Sequence, residues 1–203
     1  MTHSDVNQSS LTFISERDEQ LYGTNSFSSN SIPFIASKVA AANMVDVYTR
    51  QGILNGVNLR LANIRGYGSK DAKYNSPFHQ FIAKAKRGED IEVWGNPPKT
   101  VRDLIYVKDV VKSIILSVEN KNANGWFNIG SGVGLTIEDE IRTIQKVFDS
   151  TGKSKIIYRP DIEEIRKKSC IFLIGKAREE LGWEPQYSYF DALIDMKKEG
   201  ERS

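Results

Sequence analysis

The sequence predicts an α/β protein, because helical and strand-like apolar patterns alternate along its 203 residues. Apolar residues recur three and four positions apart over residues 35–48, which is the spacing of one helix face. Over residues 91–94 apolar and polar residues alternate, as they do on a strand. The apolar share of 39% and the charged share of 27% are those of a globular chain rather than a disordered one. The length suffices for one domain, or for a domain and a half.

The predicted elements follow one another in alternating types along most of the chain. The predicted strands cover residues 11–14, 57–61, 91–94, 104–107, 126–129 and 156–158. The predicted helices cover residues 35–48, 77–87, 110–118, 137–148, 176–181 and 190–198. Gly88 stops the second helix, Asp109 is expected to cap the start of the third, and residues 136–139 resemble a capping box that opens the fourth. Residues 63–68 are predicted to form a loop.

The charge balance and the cysteine count exclude several classes of function. Lysine and arginine number 28 against 26 aspartate and glutamate residues, so we expect neither nucleic acid nor a membrane as a partner. No apolar run approaches the length of a membrane-spanning helix, and Met1–Ser10 lacks the apolar core of a signal peptide. Cys170 is the only cysteine, which excludes an intramolecular disulfide and a cysteine-rich metal site. We therefore expect a cytoplasmic protein without a bound metal.

A glycine-rich run over residues 130–134 (G-S-G-V-G) lies between a predicted strand and a predicted helix, where a dinucleotide-binding loop would lie. Its spacing departs from the G-x-G-x-x-G fingerprint, because the third glycine comes one residue early and Leu135 takes its place. No acidic residue follows a second strand at the distance that the ribose hydroxyls require. The run is therefore predicted to form a turn rather than a cofactor site.

Five segments carry a pattern that extends in order from about residue 11 to residue 198. They are P-F-I-A-S-K at 33–38, L-R-L-A-N-I-R-G at 59–66, V-W-G at 93–95 with V-R-D-L-I-Y-V-K-D-V at 101–110, F-N-I-G at 127–130, and K-A-R-E-E-L-G-W-E-P at 176–185. Together these segments resemble the extended short-chain dehydrogenase/reductase family, specifically its NAD-dependent nucleotide-sugar epimerases and dehydratases. The resemblance covers most of the chain.

The resemblance implies a partial Rossmann-like parallel sheet with a smaller C-terminal α/β substrate-binding region. We expect a disordered start over residues 1–10, a remnant of the NAD-binding Rossmann domain over 11–68, and a mainly substrate-binding region over 69–203. The implied cofactor is NAD. Only 33 residues precede Phe34, too few for the βαβ units that hold the NAD pyrophosphate in this family, so we expect the chain to begin after its cofactor site.

The resemblance also assigns a catalytic pair. In the family a tyrosine removes a proton from a sugar hydroxyl, and a lysine four residues later lowers the tyrosine pKa and holds the nicotinamide ribose. Lys38 matches the lysine, but Phe34 stands at the position of the tyrosine and has no proton to exchange. The loss of the tyrosine hydroxyl should remove most of the contribution of proton transfer to the reaction rate, which is typically about 10²–10⁴-fold. Ser15 is the nearest match to a serine or threonine beside the reacting hydroxyl. The alternative for Phe34 and Lys38 is a buried aromatic beside an ordinary surface lysine.

Four further residues match the family's substrate side. By resemblance, Asn63 and Arg102 face the diphosphate of a nucleotide-sugar, for which the planar donor fork of an arginine is well suited. Trp94 matches the edge that packs on the nucleotide base, and Arg159 is a second phosphate candidate.

Each of these assignments has a structural alternative. Asn63 could be a turn residue and Trp94 a core residue. Arg102 could be the ion-pair partner of Asp103 or Asp109.

Several functions remain open at this stage. The chain is either a protein like the UDP-glucose 4-epimerases, with impaired catalysis, or a non-catalytic subunit that binds a nucleotide-sugar or another protein. A poorly folding remnant is a third alternative. A homodimer, or a separate chain that supplies the NAD-binding half, is the expected protein partner. Whether the chain is an enzyme stays undecided, because Phe34 argues against turnover while the segments of Asn63 and Arg102 are intact.

Overall fold

The structure is a computed structural model that describes residues 12–16, 32–68, 76–94, 100–161 and 169–202. Its helices are α1 (Ile32–Arg50), α2 (Pro77–Lys86), α3 (Val107–Glu119), α4 (Ile137–Phe148), α5 (Gly175–Leu181) and α6 (Tyr189–Arg202). Its strands are β1 (Thr12–Ile14), β2 (Val57–Leu61), β3 (Asn63–Arg65), β4 (Ile91–Trp94), β5 (Val101–Tyr106), β6 (Gly125–Ile129), β7 (Gly134–Thr136), β8 (Ile156–Arg159) and β9 (Cys170–Phe172). The predicted α/β class is confirmed. The predicted disordered start over residues 1–10 lies outside the described residues.

One extended run of chain, residues 57–65, joins two parts of a mainly parallel sheet. Strand β2 pairs with β6, and after Ala62 the run continues as β3 and pairs with β5. Strand β5 also pairs with β9 in parallel and with β7 in antiparallel orientation, and β1 lies beside β9. Strands β4 and β8 form a further parallel pair. Asn63 therefore lies at the point where the run exchanges one partner strand for another.

Two apolar cores fix these elements. The first combines residues of α2, α4 and α6 with β4, and Ile91, Ile141 and Leu193 are fully buried in it. The second combines residues of β6 with α3 and α5, around Phe127 and Trp183. Each fully buried side chain of this size contributes about 1.5–3 kcal/mol through removal from water. None of the described helices is both long enough and apolar enough to cross a membrane.

The structure corrects two of the predicted elements, a loop that forms β3 and the start of β5. Residues 63–65, predicted as the start of a loop, form β3, because their backbone pairs with β5 about forty positions further along the chain. Strand β5 begins at Val101 rather than at residue 104. The short strands β7 and β9 were not predicted, since they depend on pairing with distant strands, β7 with β5 and β9 mainly with β1, rather than on a local pattern.

The predicted cap of the third helix is wrong, whereas that of the fourth is confirmed. Helix α3 begins at Val107, and its N-cap residue is Tyr106. The buried Asp109 carboxylate instead accepts hydrogen bonds from the backbone N–H groups of Gln186 (2.9 Å) and Tyr187 (3.3 Å) and so holds the segment that leads into α6. Helix α4 begins with the predicted capping box at residues 136–139.

A charged cluster ties α6 to β5 and α3. Asp195 on α6 accepts hydrogen bonds from Lys108 Nζ (2.5 Å) and Tyr106 Oη (2.7 Å), and Glu199 lies 2.7 Å from the same lysine nitrogen. Hydrogen bonds from Lys108 and Tyr106 lower the pKa of Asp195 below its ordinary 3.8. Its contribution to stability is therefore fully present above pH 3.8 and is lost as pH falls through the lowered pKa of the folded state.

We expect Asp195→Asn to destabilise the chain at about pH 7 and to matter progressively less as pH falls below 3.8, because the advantage of the native carboxylate is lost over that range. Urea unfolding of both chains across this range measures the difference in the free energy of unfolding. Asp191→Asn, on the same helix, is the control. A difference between native chain and Asp195→Asn that stays constant with pH would contradict the assignment.

Candidate functional site

The glycine-rich run closes on a buried aspartate. The carboxylate of Asp103, only 1% exposed, accepts hydrogen bonds from Ser131 N and Oγ (both 2.7 Å), Gly132 N (3.2 Å) and Phe172 N (3.1 Å). A Cβ atom at Gly130 would lie 2.5 Å from Asp103 Oδ2, and Gly132 has a φ of +70°, so both positions require glycine. The predicted turn-forming role of the run is confirmed, and Asp103 uses the N–H groups that could otherwise bind a phosphate.

Asn63 and Arg102 lie on neighbouring strands. Asn63 is the register partner of Leu104, and its Nδ2 donates to the carbonyl oxygen of Asp103 at 3.1 Å. Arg102 precedes Asp103 on β5. Asn63 thus occupies a strand rather than the turn that was its structural alternative. It also lies just beyond the carboxyl end of β2, at a change of strand order, which is where ligands bind in open α/β sheets.

A buried carboxylate on α4 holds Arg102. Glu140 is 1% exposed, and its Oε2 lies 3.2 Å from Arg102 Nη2. Its Oε1 lies 2.7 Å from both Nε and Nη2 of Arg65 on β3. Arg102 therefore pairs with Glu140, whereas the carboxylates of Asp103 and Asp109 accept from backbone N–H groups. These contacts join two guanidinium groups to one carboxylate.

The hydroxyl group of Tyr189 belongs to the same cluster. Its oxygen is buried and has no partner at full hydrogen-bond geometry among the residues that the structure describes, although the Arg65 side chain is close enough to act on its pKa as a hydrogen-bond donor. Burial raises the pKa of Tyr189 well above its ordinary value, and the charge of Glu140 raises it further, while Arg65 and Arg102 act in the opposite direction. The hydroxyl is therefore neutral at physiological pH and can donate to an anionic oxygen.

Trp94 and Arg159 lie side by side at the carboxyl ends of β4 and β8, where they are register partners. Trp94 is 48% exposed, so its alternative as a core residue is wrong. The guanidinium of Arg159 lies 2.9 Å from a carboxylate oxygen of Asp161 and 3.5 Å from one of Glu92. An exposed indole can stack on a nucleotide base, but a phosphate at Arg159 would compete with these two carboxylates.

Phe34 and Lys38 lie one turn apart on the exposed side of α1. The Lys38 ammonium nitrogen is 5.6 Å from the centroid of the Phe34 ring, a distance at which a cation and an aromatic face attract each other. Phe34 is 65% exposed, so the alternative of a buried aromatic is wrong. The pair keeps the spacing of the family's tyrosine and lysine, without the ionisable hydroxyl.

Ser15 directly follows β1, and its backbone carbonyl accepts a hydrogen bond from Arg60 Nη1 at 3.1 Å. The preceding carbonyl, of Ile14, accepts from Asn128 Nδ2 (2.9 Å) and from Leu173 N (2.8 Å). Strand β1 pairs with β9, and not with β2, on which α1 packs. The predicted residues thus fall into groups: Asn63 with Arg102, Trp94 with Arg159, Phe34 with Lys38, and Ser15 on its own strand.

The described residues do not fit the pyrophosphate of NAD. In the glycine-rich run the N–H groups of Ser131 and Gly132 are bonded to Asp103 and that of Val133 to Ser131 Oγ, and Thr136 and Asp139 close the start of α4 through their own side chains. Lys38 is the residue that resemblance assigns to the nicotinamide ribose. Within the ranges described, no cluster of three or more histidine, cysteine, aspartate or glutamate residues could hold a metal ion.

Three residues of the cluster were not predicted. Glu140 could have been found, because it lies three residues after Ile137 and four before Ile144, where an acid interrupts the apolar stripe of α4. An acid at such a position needs a buried partner. Arg65 and Tyr189 carry no comparable local signal, since their roles depend on contacts far apart in the sequence.

The chain was compared with known proteins. A family model described as the NAD dependent epimerase/dehydratase family matches residues 9–130. A dTDP-4-dehydro-6-deoxyglucose reductase of Escherichia coli is 31% identical over 147 residues, which are 71% of this chain and 45% of the relative. UDP-glucuronic acid decarboxylase 3 of Arabidopsis thaliana is 32% identical over 168 residues, 80% of this chain and 45% of the relative. The chain spans about half the length of these curated relatives.

A solved structure gives the same result for the fold. The UDP-glucose 4-epimerase of Thermotoga maritima, determined with UDP-glucose, superposes with a TM-score of 0.68 and 27% identity, over 84% of this chain and 54% of that one. The predicted Rossmann-like architecture is therefore confirmed, and the division at residues 68 and 69 stays a prediction.

Proposed function

The chain belongs to the NAD-dependent epimerase/dehydratase family, and from that premise we propose that it binds a nucleotide-sugar through its diphosphate without converting it. Arg102 and Asn63 contact the diphosphate in this proposal, and Trp94 stacks on the base with Arg159 beside it. The related decarboxylases and the epimerase solved with UDP-glucose carry UDP-sugars in their names, which favours a UDP-sugar as the ligand.

The observation that carries the proposal is the cluster around Arg102. Glu140 contacts both Arg65 and Arg102, and the Tyr189 hydroxyl lies in the same cluster. Asn63 is fixed nearby by its bond to the carbonyl oxygen of Asp103. Arginine, an amide and a neutral hydroxyl are donors suited to phosphate oxygens.

Turnover is not proposed for the chain alone, because Phe34 has no hydroxyl to remove a proton. NAD is the cofactor that the family implies, and when bound it would exchange hydride with the sugar. Lys38 is the residue of this chain assigned to its ribose. The pyrophosphate has no cradle among the described residues, so we propose a partner for it. That partner is a separate NAD-binding chain, because a second copy has the same described residues; either such a chain or a homodimer would cover the exposed apolar residues Met44, Val47 and Tyr48 of α1.

The second candidate function is an interaction subunit that binds no nucleotide-sugar. The exposed apolar residues of α1 and of α3, such as Val118, favour it, since such surfaces mark protein interfaces. The charged cluster plays no part in this candidate.

Calorimetric titration of the purified chain tests the proposal. We expect saturable binding of at least one of the UDP-, GDP-, CDP- and dTDP-sugars, little binding of NAD, and no epimerisation of UDP-glucose when NAD is added. Binding of none of the nucleotide-sugars would overturn the proposal in favour of the interaction subunit. Tight binding of NAD by the chain alone would overturn the assignment of the pyrophosphate to a partner.

A further inference from the structure

Arg65 and Glu140 form a buried ion pair beside Arg102. Nε and Nη2 of Arg65 both lie 2.7 Å from Glu140 Oε1, and Nη1 donates to the carbonyl oxygen of Ile64 at 3.2 Å. The Arg65 guanidinium also lies 4.8 Å from the centroid of the Phe78 ring. All three nitrogens of Arg65 thus have partners inside the protein. Its charge therefore serves to neutralise Glu140.

Glu140 contacts Arg102 with its other oxygen. The distance from Oε2 to Arg102 Nη2 is 3.2 Å, longer than the two contacts with Arg65. The carboxylate is thus bound mainly by Arg65 and orients Arg102 through one nitrogen. Because the charges of Arg65 and Glu140 balance each other, this pair can hold Arg102 without adding net charge beside it.

Tyr189 supplies an independent observation at the same place. Its hydroxyl oxygen is buried without a partner at full hydrogen-bond geometry among the described residues, and such groups are rare because their desolvation is costly. A ligand oxygen between Tyr189 and Arg102 would satisfy this donor.

We propose that Glu140 is a positioning residue for diphosphate binding: with Arg65 it forms a charge-neutral buried brace that holds the Arg102 guanidinium against the phosphates. The inference rests on the proposed nucleotide-sugar site. Glu140 does not touch the ligand itself but acts through Arg102.

Charge and position make opposite predictions for Glu140→Gln. If Glu140 only offsets positive charge, its neutralisation strengthens the local attraction for phosphate and tightens binding. If Glu140 positions Arg102, the same variant weakens binding, because a carboxamide has one acceptor oxygen for two arginines and lacks the charge that holds both. We expect the affinity for the nucleoside diphosphate to fall by about tenfold.

A double variant separates position from net charge. Arg65→Met with Glu140→Leu removes one positive and one negative charge together and replaces a buried pair by apolar side chains, a change that folded proteins often tolerate. The matched control, Arg142→Met with Glu138→Leu, removes an exposed pair from the same helix. UDP, GDP, CDP and dTDP are titrated into each folded chain by calorimetry. NMR of ¹⁵N-labelled arginine side chains reports whether rotation of the Arg102 guanidinium is hindered.

The brace is supported if the buried double variant binds about tenfold more weakly than the native chain, frees the Arg102 guanidinium, and the exposed control changes neither. Native-like affinity in that variant, or tighter binding by Glu140→Gln, overturns the brace while the proposed function stands. If the native chain binds none of the four diphosphates, the proposed function fails and the brace with it. If the double variant does not fold, Glu140→Asp replaces it, because this variant keeps every charge but shortens the side chain. The diphosphate affinity and the rotation of the Arg102 guanidinium then decide in the same way.

Discussion

Replacing Asp103 by alanine is expected to cost about 3–5 kcal/mol of the free energy of unfolding, the largest effect on stability that we predict. The carboxylate is buried and accepts four hydrogen bonds, two from Ser131 and one each from Gly132 and Phe172. Alanine would leave the backbone donors of the glycine-rich run and of β9 buried without acceptors. Urea unfolding of the native and variant chains measures the loss.

Asp149→Ala is the matched control for this prediction. Asp149 also accepts four hydrogen bonds, from Thr151 N and Oγ1, Gly152 N and Ser154 N, but in an exposed turn. Water can replace an acceptor there, so we expect a clearly smaller loss. Equal losses from the two variants would show that burial of the Asp103 donors is not what makes that residue important.

Arg102→Ala is expected to weaken nucleotide-sugar binding by about 10- to 100-fold, the largest effect on binding that we predict. The variant removes the guanidinium charge and the donor fork that meet the diphosphate in the proposed site. Stability should fall much less, because Glu140 keeps both of its 2.7 Å contacts with Arg65. Calorimetry with the best-bound nucleotide-sugar gives the affinity.

The control for Arg102→Ala is Arg142→Ala, which removes an arginine from the exposed side of α4, where it pairs with Glu138. It changes the net charge of the chain equally and should leave the affinity nearly unchanged. If both variants weaken binding alike, a general field rather than a specific contact attracts the ligand. If neither does, Arg102 is not part of the site.

Much of the fold could be predicted from local patterns. The spacing of apolar residues located α1 and α4 within a few positions, and the capping box at residues 136–139 was identified from its sequence. Strands β3, β7 and β9 could not be predicted in this way. Each is three residues long and depends on pairing with a strand far away in the sequence, β3 and β7 with β5 and β9 mainly with β1.

The residues of the candidate site could likewise be predicted only in part from the sequence. Asn63 and Arg102 were identified by resemblance, yet the partner of Arg102 was sought among its neighbours Asp103 and Asp109 and is instead Glu140, on another element. Sequence proximity is a poor guide to ion pairs in a folded chain, since the sheet brings distant residues together. The acid within the apolar stripe of α4 was the one local sign of the buried cluster.

The most direct test of the proposed diphosphate site at Arg102 and Asn63 is a crystal structure of this chain grown with the nucleoside diphosphate that it binds best. We expect phosphate oxygens within hydrogen-bond distance of Arg102 and Asn63, with Arg65 and Glu140 still paired and the base against Trp94. A diphosphate bound at the glycine-rich run in place of the Asp103 carboxylate, or away from Arg102 altogether, would contradict it.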